Sequence, residues 1–238
     1  MVSHDAPIPL LESFTFTKFI LASSNRGRIS TGNSSGGIDK RTLEQAIDVI
    51  QSSAFAYWAE GAMNVIYGQQ KREFGIHFVS EDYFSNVGAK IQGGIPNLGR
   101  QRRNSAVLSK SGALAFGISL ESLPVHVEIG GKSYLVEGVA SEFNGFPASR
   151  SADIFLNEYE IASTLFRGMG EEKANDVPVF KLAVNVGDRR LLDVENELNT
   201  RVTPEGQFYF GAKDLVFRGH QGPFVTAADG KRAREASE

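Results

Sequence analysis

The stretch that decides the fold runs from Asn104 to Val139 and reads NSAVLSKSGALAFGISLESLPVHVEIGGKSYLVEGV. It opens on an apolar run, Ala106-Val107-Leu108, and passes through a helical candidate from Ser109 to Phe116. It closes on two alternating segments, Val125 to Ile129 and Lys132 to Val139. Gly130-Gly131 separates them, and the primed turns of two-residue hairpins need the positive φ that glycine adopts freely. Such a turn pairs Ile129 with Lys132, Val127 with Tyr134 and Val125 with Val136. One face is then apolar, and the other carries His126, Glu128 and Ser133, so the register is well specified. A helix leading into an antiparallel hairpin points to an α+β chain.

Working outward toward the N-terminus, Phe14 to Ala22 reads as a strand and Ser23 to Gly37 as a polar, Gly-rich loop. A helix then starts at Asp39, a suitable N-cap, with Ile38 and Leu43 spaced as a hydrophobic staple. Leu43, Ala46, Ile47 and Ile50 keep helical spacing. Ala54 to Ile66 and Arg72 to Val79 read as strands joined near Gly68. Ser80 to Gly88 reads as a short helix with Ser80 as N-cap, and Ile91 to Arg103 as a Gly/Pro/Arg loop.

Toward the C-terminus, Ser141 to Arg150 is a second loop, Tyr159 to Gly168 has helical character and Gly168 to Pro178 is a charged connection. Val179 to Val186 is a strand, and Asp188 to Thr200 a helix with Leu191, Val194 and Leu198 at helical spacing. Gln207 to Phe210 and Leu215 to Phe217 read as two further strands. The first and last β-α-β patterns are alike, so residues 12–82 and 177–226 are expected to form one mixed sheet with helices on one face. Residues 83–176 are then an inserted, mostly β subdomain, with 1–11 and 227–238 as flanking linkers.

The 238 residues suffice for a sizeable core, and 41% hydrophobic with 22% charged residues is ordinary for a globular chain. A formal net charge of −3 argues against a general nucleic-acid binder. With no cysteine there is no disulfide framework, thiolate nucleophile or Cys-ligated zinc. No stretch reaches the ~18 uninterrupted apolar residues of a membrane span, and Met1 to Pro7 lacks the basic and apolar regions of a signal peptide.

Candidate chemistry is sparse. Gly32-Asn33-Ser34-Ser35-Gly36 matches G-x-S-x-G, but the residues before it are too polar for the central strand of a hydrolase elbow. It also lacks the Gly-Lys-Ser/Thr ending of a phosphate loop. His126 and Glu128 form H-x-E without the Cys pair of a zinc deaminase. His4, His77, His126 and His220 show no paired ligand spacing. Glu81-Asp82 reads as a helix first turn and Glu171-Glu172 as a solvated charge run. No catalytic, cofactor-binding or metal-binding residue is assigned. Two readings are open for Arg100, Arg102 and Arg103: solvated loop charge, or docking to an acidic partner or lipid headgroups. Phe143 and Phe146 either pack under their loop or anchor a partner.

An ordered set of phrases gives the sequence its resemblance. Val79-Ser80-Glu81-Asp82-Tyr83-Phe84-Ser85-Asn86-Val87-Gly88, Asn104-Ser105-Ala106-Val107-Leu108-Ser109 and Ile129-Gly130-Gly131-Lys132-Ser133-Tyr134-Leu135-Val136-Glu137-Gly138-Val139 follow one another. They resemble phrases of the periplasmic core domain of MacB-type (FtsX-like) ABC transporter permeases. Asp153-Ile154-Phe155-Leu156 sits where members have a short closing strand. The loops at Gly93 to Arg100 and Glu121 to Pro124 depart from the family's wording. The resemblance implies a porter-like α/β subdomain from both chain ends, plus an inserted, mostly β subdomain. It implies a non-enzymatic, extracytoplasmic domain that couples cytoplasmic ATP hydrolysis to substrate export or extraction by rigid-body motion. Implied partners are a second permease copy, an ATP-binding subunit or domain and a periplasmic adaptor. The membrane would be reached through helices before Met1 and after Glu238. The alternative is a free-standing periplasmic module that binds a small molecule or lipid.

Overall fold

A computed structural model describes residues 18–24, 37–50, 54–87, 89–94, 98, 104–140, 152–177, 179–185, 190–202, 208–216 and 225–226. Helix α1 spans Lys40–Ile50. Its start is set as the sequence predicts, because the Asp39 carboxylate accepts from the Thr42 amide at 2.7 Å. Leu43, Ala46 and Ile50 are buried, and Ile47 packs partly buried against the same core. Ile38, just ahead of the cap, exchanges two backbone hydrogen bonds with Phe180 at 2.7 and 2.9 Å.

Strands β1 (Lys18–Ser24) and β2 (Ala54–Tyr67) flank α1 in the chain. Strands β9 (Phe180–Asn185) and β10 (Phe208–Val216) flank α6 (Leu191–Arg201) in the same way. The two units interleave: β9 lies antiparallel between β1 and β2, and β1 lies antiparallel between β9 and β10. The resulting order, β10-β1-β9-β2, is that of a pair of split β-α-β units. Helices α1 and α6 pack on each other over these strands. A short β11 (Val225–Thr226) borders β10.

The sheet does not stop at β2. Strand β3 (Gln70–Val79) is its hairpin partner through the turn at Gly68, and pairs in parallel with β8 (Ile154–Asn157). β8 is antiparallel to β5 (Ser105–Ser109), which runs parallel to β7 (Lys132–Ala140). β7 pairs with β6 (Val125–Ile129) through Gly130-Gly131, both at positive φ, in the register read from the sequence. β6 then returns to β2, with Val65 opposite Ile129 and Ile66 opposite Glu128. The ring β2-β3-β8-β5-β7-β6 is therefore closed, a small barrel whose first strand also belongs to the α/β sheet. Along the β5 ladder Glu137 is an extra residue, a bulge placed where β7 leaves β6 and takes up β4 (Ile91–Gly93).

Side chains alternate between two clusters as strand geometry requires. Phe74, Ile76 and Phe78 of β3, Ala106 and Leu108 of β5, Ile154 and Leu156 of β8, and Leu182 and Val184 of β9 share the larger cluster. That cluster runs without a break from the underside of α1 and α6 into the barrel interior. Val79, Val107, Phe155 and Ala183, at the intervening positions, form a second cluster on the other face with Trp58, Tyr83 and Phe84.

Several expectations are corrected. The two strands expected over 207–217 are one, because β10 pairs continuously with β1 from Phe208 to Asp214. The loop expected from Ile91 contains β4, which has too few residues to show a period. The connection from Gly168 holds α5 (Glu171–Asn175), so Glu171-Glu172 is a helix first turn. Ser80 does not cap the next helix: α2 spans Tyr83–Asn86 behind Asp82, and Ser80 supplies only its backbone carbonyl to Tyr83. The segment from Tyr159 is split into a 3-10 turn at Glu158–Glu160 and α4 (Ile161–Thr164). Helix α3 (Lys110–Phe116) forms as expected, with the Ser109 hydroxyl accepting from the Gly112 amide at 3.0 Å.

Candidate functional site at the junction cleft

On the helix-bearing face, α1 and the α4–α5 segment stand apart across a cleft of about 490 Å³. Lys40, Glu44 and Ile47 line one wall. Ile161, Ala162, Glu171 and Ala174 line the other, and Tyr57 of β2 with Phe180 of β9 forms the floor. The helix start places Lys40 at the mouth, since its Asp39 cap fixes where the first turn begins.

The Lys40 ammonium pairs with the Glu158 carboxylate across the cleft, and both side chains are mostly shielded from water. The Tyr57 hydroxyl donates to the other Glu158 oxygen at 3.0 Å. The ammonium also lies 5.1 Å from the ring centres of Tyr57 and of Phe180, within cation–π range. Burial and then the Glu158 charge push the Tyr57 phenol far above its ordinary pKa, so it stays a donor. A carboxylate held by an ammonium and a phenol fastens together the elements that carry them.

Two residues on, Glu160 points the opposite way and is fully buried. It pairs with Lys132 and accepts from the Tyr134 hydroxyl at 3.0 Å and the Ser163 hydroxyl at 3.0 Å. Lys132 and Tyr134 belong to β7, so Glu160 ties the 3-10 turn to the barrel hairpin. Asn157 steadies the turn's start by accepting from the Tyr159 amide at 2.9 Å. One turn thus reaches into the α/β unit through Glu158 and into the barrel through Glu160.

The second face carries another charged group. Glu60 accepts from the Trp58 indole at 2.9 Å and pairs with Lys181 at 2.7 Å, with His77 Nε2 at 3.9 Å. A further hollow of about 460 Å³ lies beside α3, between Lys110, Ile118 and Val139, and exposed Leu114 and Leu120 rim it.

Arg100, Arg102, Arg103, Phe143 and Phe146 lie outside the described residues, as do Gly32 to Gly36, His4 and His220. His126 is exposed on the outer face of the hairpin, where its Nδ1 is 3.2 Å from the Ser133 hydroxyl. Among the described residues no group of three or more His, Asp or Glu could hold a metal, and no helix is long and apolar enough to cross a membrane. Sequence reasoning missed Lys40, Tyr57 and Glu158 altogether. The acids alternating about Tyr159 directly after a strand were the available signal.

No protein-family model matches the sequence, and no curated protein matches it. Solved structures do. The periplasmic region of MacB from Actinobacillus actinomycetemcomitans is 14% identical and superposes with a TM-score of 0.62, over 96% of this chain and 97% of that one. The extracellular domain of the noncanonic ABC-type transporter YknZ from Gram-positive bacteria is 11% identical with a TM-score of 0.59, over 81% and 99%. The fold of this chain is that of the periplasmic domain of MacB-type ABC transporter permeases.

Proposed function

We propose that this chain is the extracytoplasmic domain of an ABC transporter permease. In this reading it couples ATP hydrolysis in a cytoplasmic unit to substrate export or extraction, moving as a rigid body with flanking membrane helices. It works beside a second permease copy and docks to a periplasmic adaptor, and it catalyses no reaction itself. Residues 12–82 with 177–226 are the porter-like part and 83–176 the inserted part. Arg100, Arg102, Arg103, Phe143 and Phe146 are the proposed contacts to partner or lipid. The observation that carries the reading is the likeness to two transporter domains over nearly their whole lengths. Transmission of motion needs a stiff body, and a sheet continuous from β10 to β7 with a shared core suits that.

Membrane fractionation of the source cells, followed by immunodetection, tests this. The expected species is integral and larger than 25.9 kDa by several spans of ~20 residues. A soluble species of the chain's own mass would refute the reading and favour a free ligand-binding module.

A further inference from the structure

We propose that Lys40, Tyr57 and Glu158 form a latch that holds the junction cleft at one width, and that without it the cleft opens about the β2–β9 ladder. The walls of the cleft belong to α1 and to the α4–α5 segment, while its floor is the adjoining pair β2 and β9. A sheet resists stretching along its hydrogen bonds but twists and coils readily between neighbouring strands. Helix α1 packs on β9, and Leu165 just past α4 lies over Gly61 of β2, so walls resting on these adjacent strands move apart like the covers of a book, with the ladder from Ala54 to Ala59 as the spine.

What opposes this motion is unusual in its placement. Low in the cleft Leu43, Ile47, Ile161 and Phe180 pack into the common core, while the cleft of about 490 Å³ keeps the outer parts of the walls apart. Across that gap the restraint is polar. Glu158 is drawn toward Lys40 and Tyr57, 118 and 101 residues away in sequence. Glu160 is drawn the other way, to Lys132 and Tyr134. The turn between them is short and capped by Asn157, so it cannot absorb a change at one end without passing it to the other. Breaking one partner of a shielded ion pair leaves the remaining charge uncompensated, and water entering the cleft is the cheapest way to rehydrate it. Loss of the pair should then widen the cleft without unfolding either wall. This goes beyond the transport reading and does not depend on it, since the motion belongs to the isolated chain.

The chain has no cysteine, so a pair introduced at exposed Gln45 on α1 and Lys173 on α5 can be spin-labelled cleanly. Pulsed dipolar spectroscopy on the labelled chain should give a single narrow distance distribution. Glu158→Gln and Lys40→Met should each shift the mean to longer distance and abolish the narrow peak, with circular dichroism unchanged. Combining them should broaden the distribution no further. Distributions that stay narrow in both single variants would overturn the latch, as would further broadening in the double variant, which would mean separate effects. Should those variants not fold, Tyr57→Phe removes a single oxygen from the same group. It should produce a partial shift, and an unchanged distribution there would overturn the proposal equally.

Discussion

The α/β unit and the barrel meet in one strand, yet they are held together by different means. On the near half of β2, residues Ala54 to Ala59 pair continuously with β9 beneath α1. On the far half, only Val65 and Ile66 meet β6 to close the barrel. The α/β unit thus rests on long ladders and amphipathic helices. The barrel rests on a short closing contact backed by side chains that fill its interior, among them Val65, Ile129, Tyr134 and Ile154. A closed sheet can thus depend on its filling as much as on its rungs.

Cutting the packing beneath the sheet should make both regions fail together, with the greatest loss of stability. Phe155 of β8 lies in ring contact with Tyr83 and Phe84 under the continuous part of the sheet. Phe155→Ala should cost about 3–5 kcal/mol in denaturant unfolding, as buried Phe truncations do. A single shifted transition is expected, because the core is shared. Two separated transitions would show that the regions unfold independently.

Alkali probes the buried phenols on both sides. Burial first, then the charge of Glu60, raises Tyr83, and burial with the Glu160 carboxylate raises Tyr134. A folded pKa above the ordinary value of about 10 leaves stability intact below that pH and removes it as pH rises beyond. Each such phenol should contribute a loss of about 1.4 kcal/mol per pH unit. Tyrosinate absorbance for these residues should therefore appear together with loss of the circular dichroism signal. Early, reversible ionisation of all six tyrosines in the folded chain would contradict the buried placement.

A more local test separates the regions. A Cβ on Gly112, in the first turn of α3, would stand 2.1 Å from the Asp153 carbonyl oxygen. Gly112→Ala should cost about 1–3 kcal/mol through overpacking on the barrel side. Amide exchange should quicken in β5 and β8 before it does in β1 and β10. Uniform quickening would mean that the barrel has no separate opening.

Helix caps on the two sides act at smaller scale. Asp39→Ala on the α/β side and Ser109→Ala on the barrel side each remove one side-chain acceptor from a first turn. Each should cost about 0.5–2 kcal/mol by thermal unfolding. A much larger loss at Asp39 would reveal its added duty of placing Lys40. Smallest of all, Leu114→Ser at an exposed position should change stability by no more than about 0.5 kcal/mol.

Much of this was legible residue by residue. The β6–β7 register followed from Gly130-Gly131 and strict alternation, and the starts of α1 and α3 from Asp39 and Ser109. Strand β10 was not legible as one piece, because Gly211-Ala212-Lys213-Asp214 breaks the apolar pattern while the backbone pairing continues. β4 was hidden in the same way by its length. The cleft was invisible because its members come from α1, β2 and the turn after β8, with no local spacing to join them.

Local chemistry, then, was readable along the chain: which of the longer periodic segments are helix or strand, where two helices begin, how one hairpin pairs and which of its faces is apolar. These depend on side-chain period, turn conformation and capping, all acting within a few residues. The tertiary structure alone decided that β2 serves two assemblies, that β6 closes a ring against it and that Glu158 and Glu160 pull in opposite directions. Those outcomes depend on contacts between residues from 26 positions apart, for Tyr134 with Glu160, to 118, for Lys40 with Glu158, chosen by mutual burial and charge pairing rather than by any pattern along the chain.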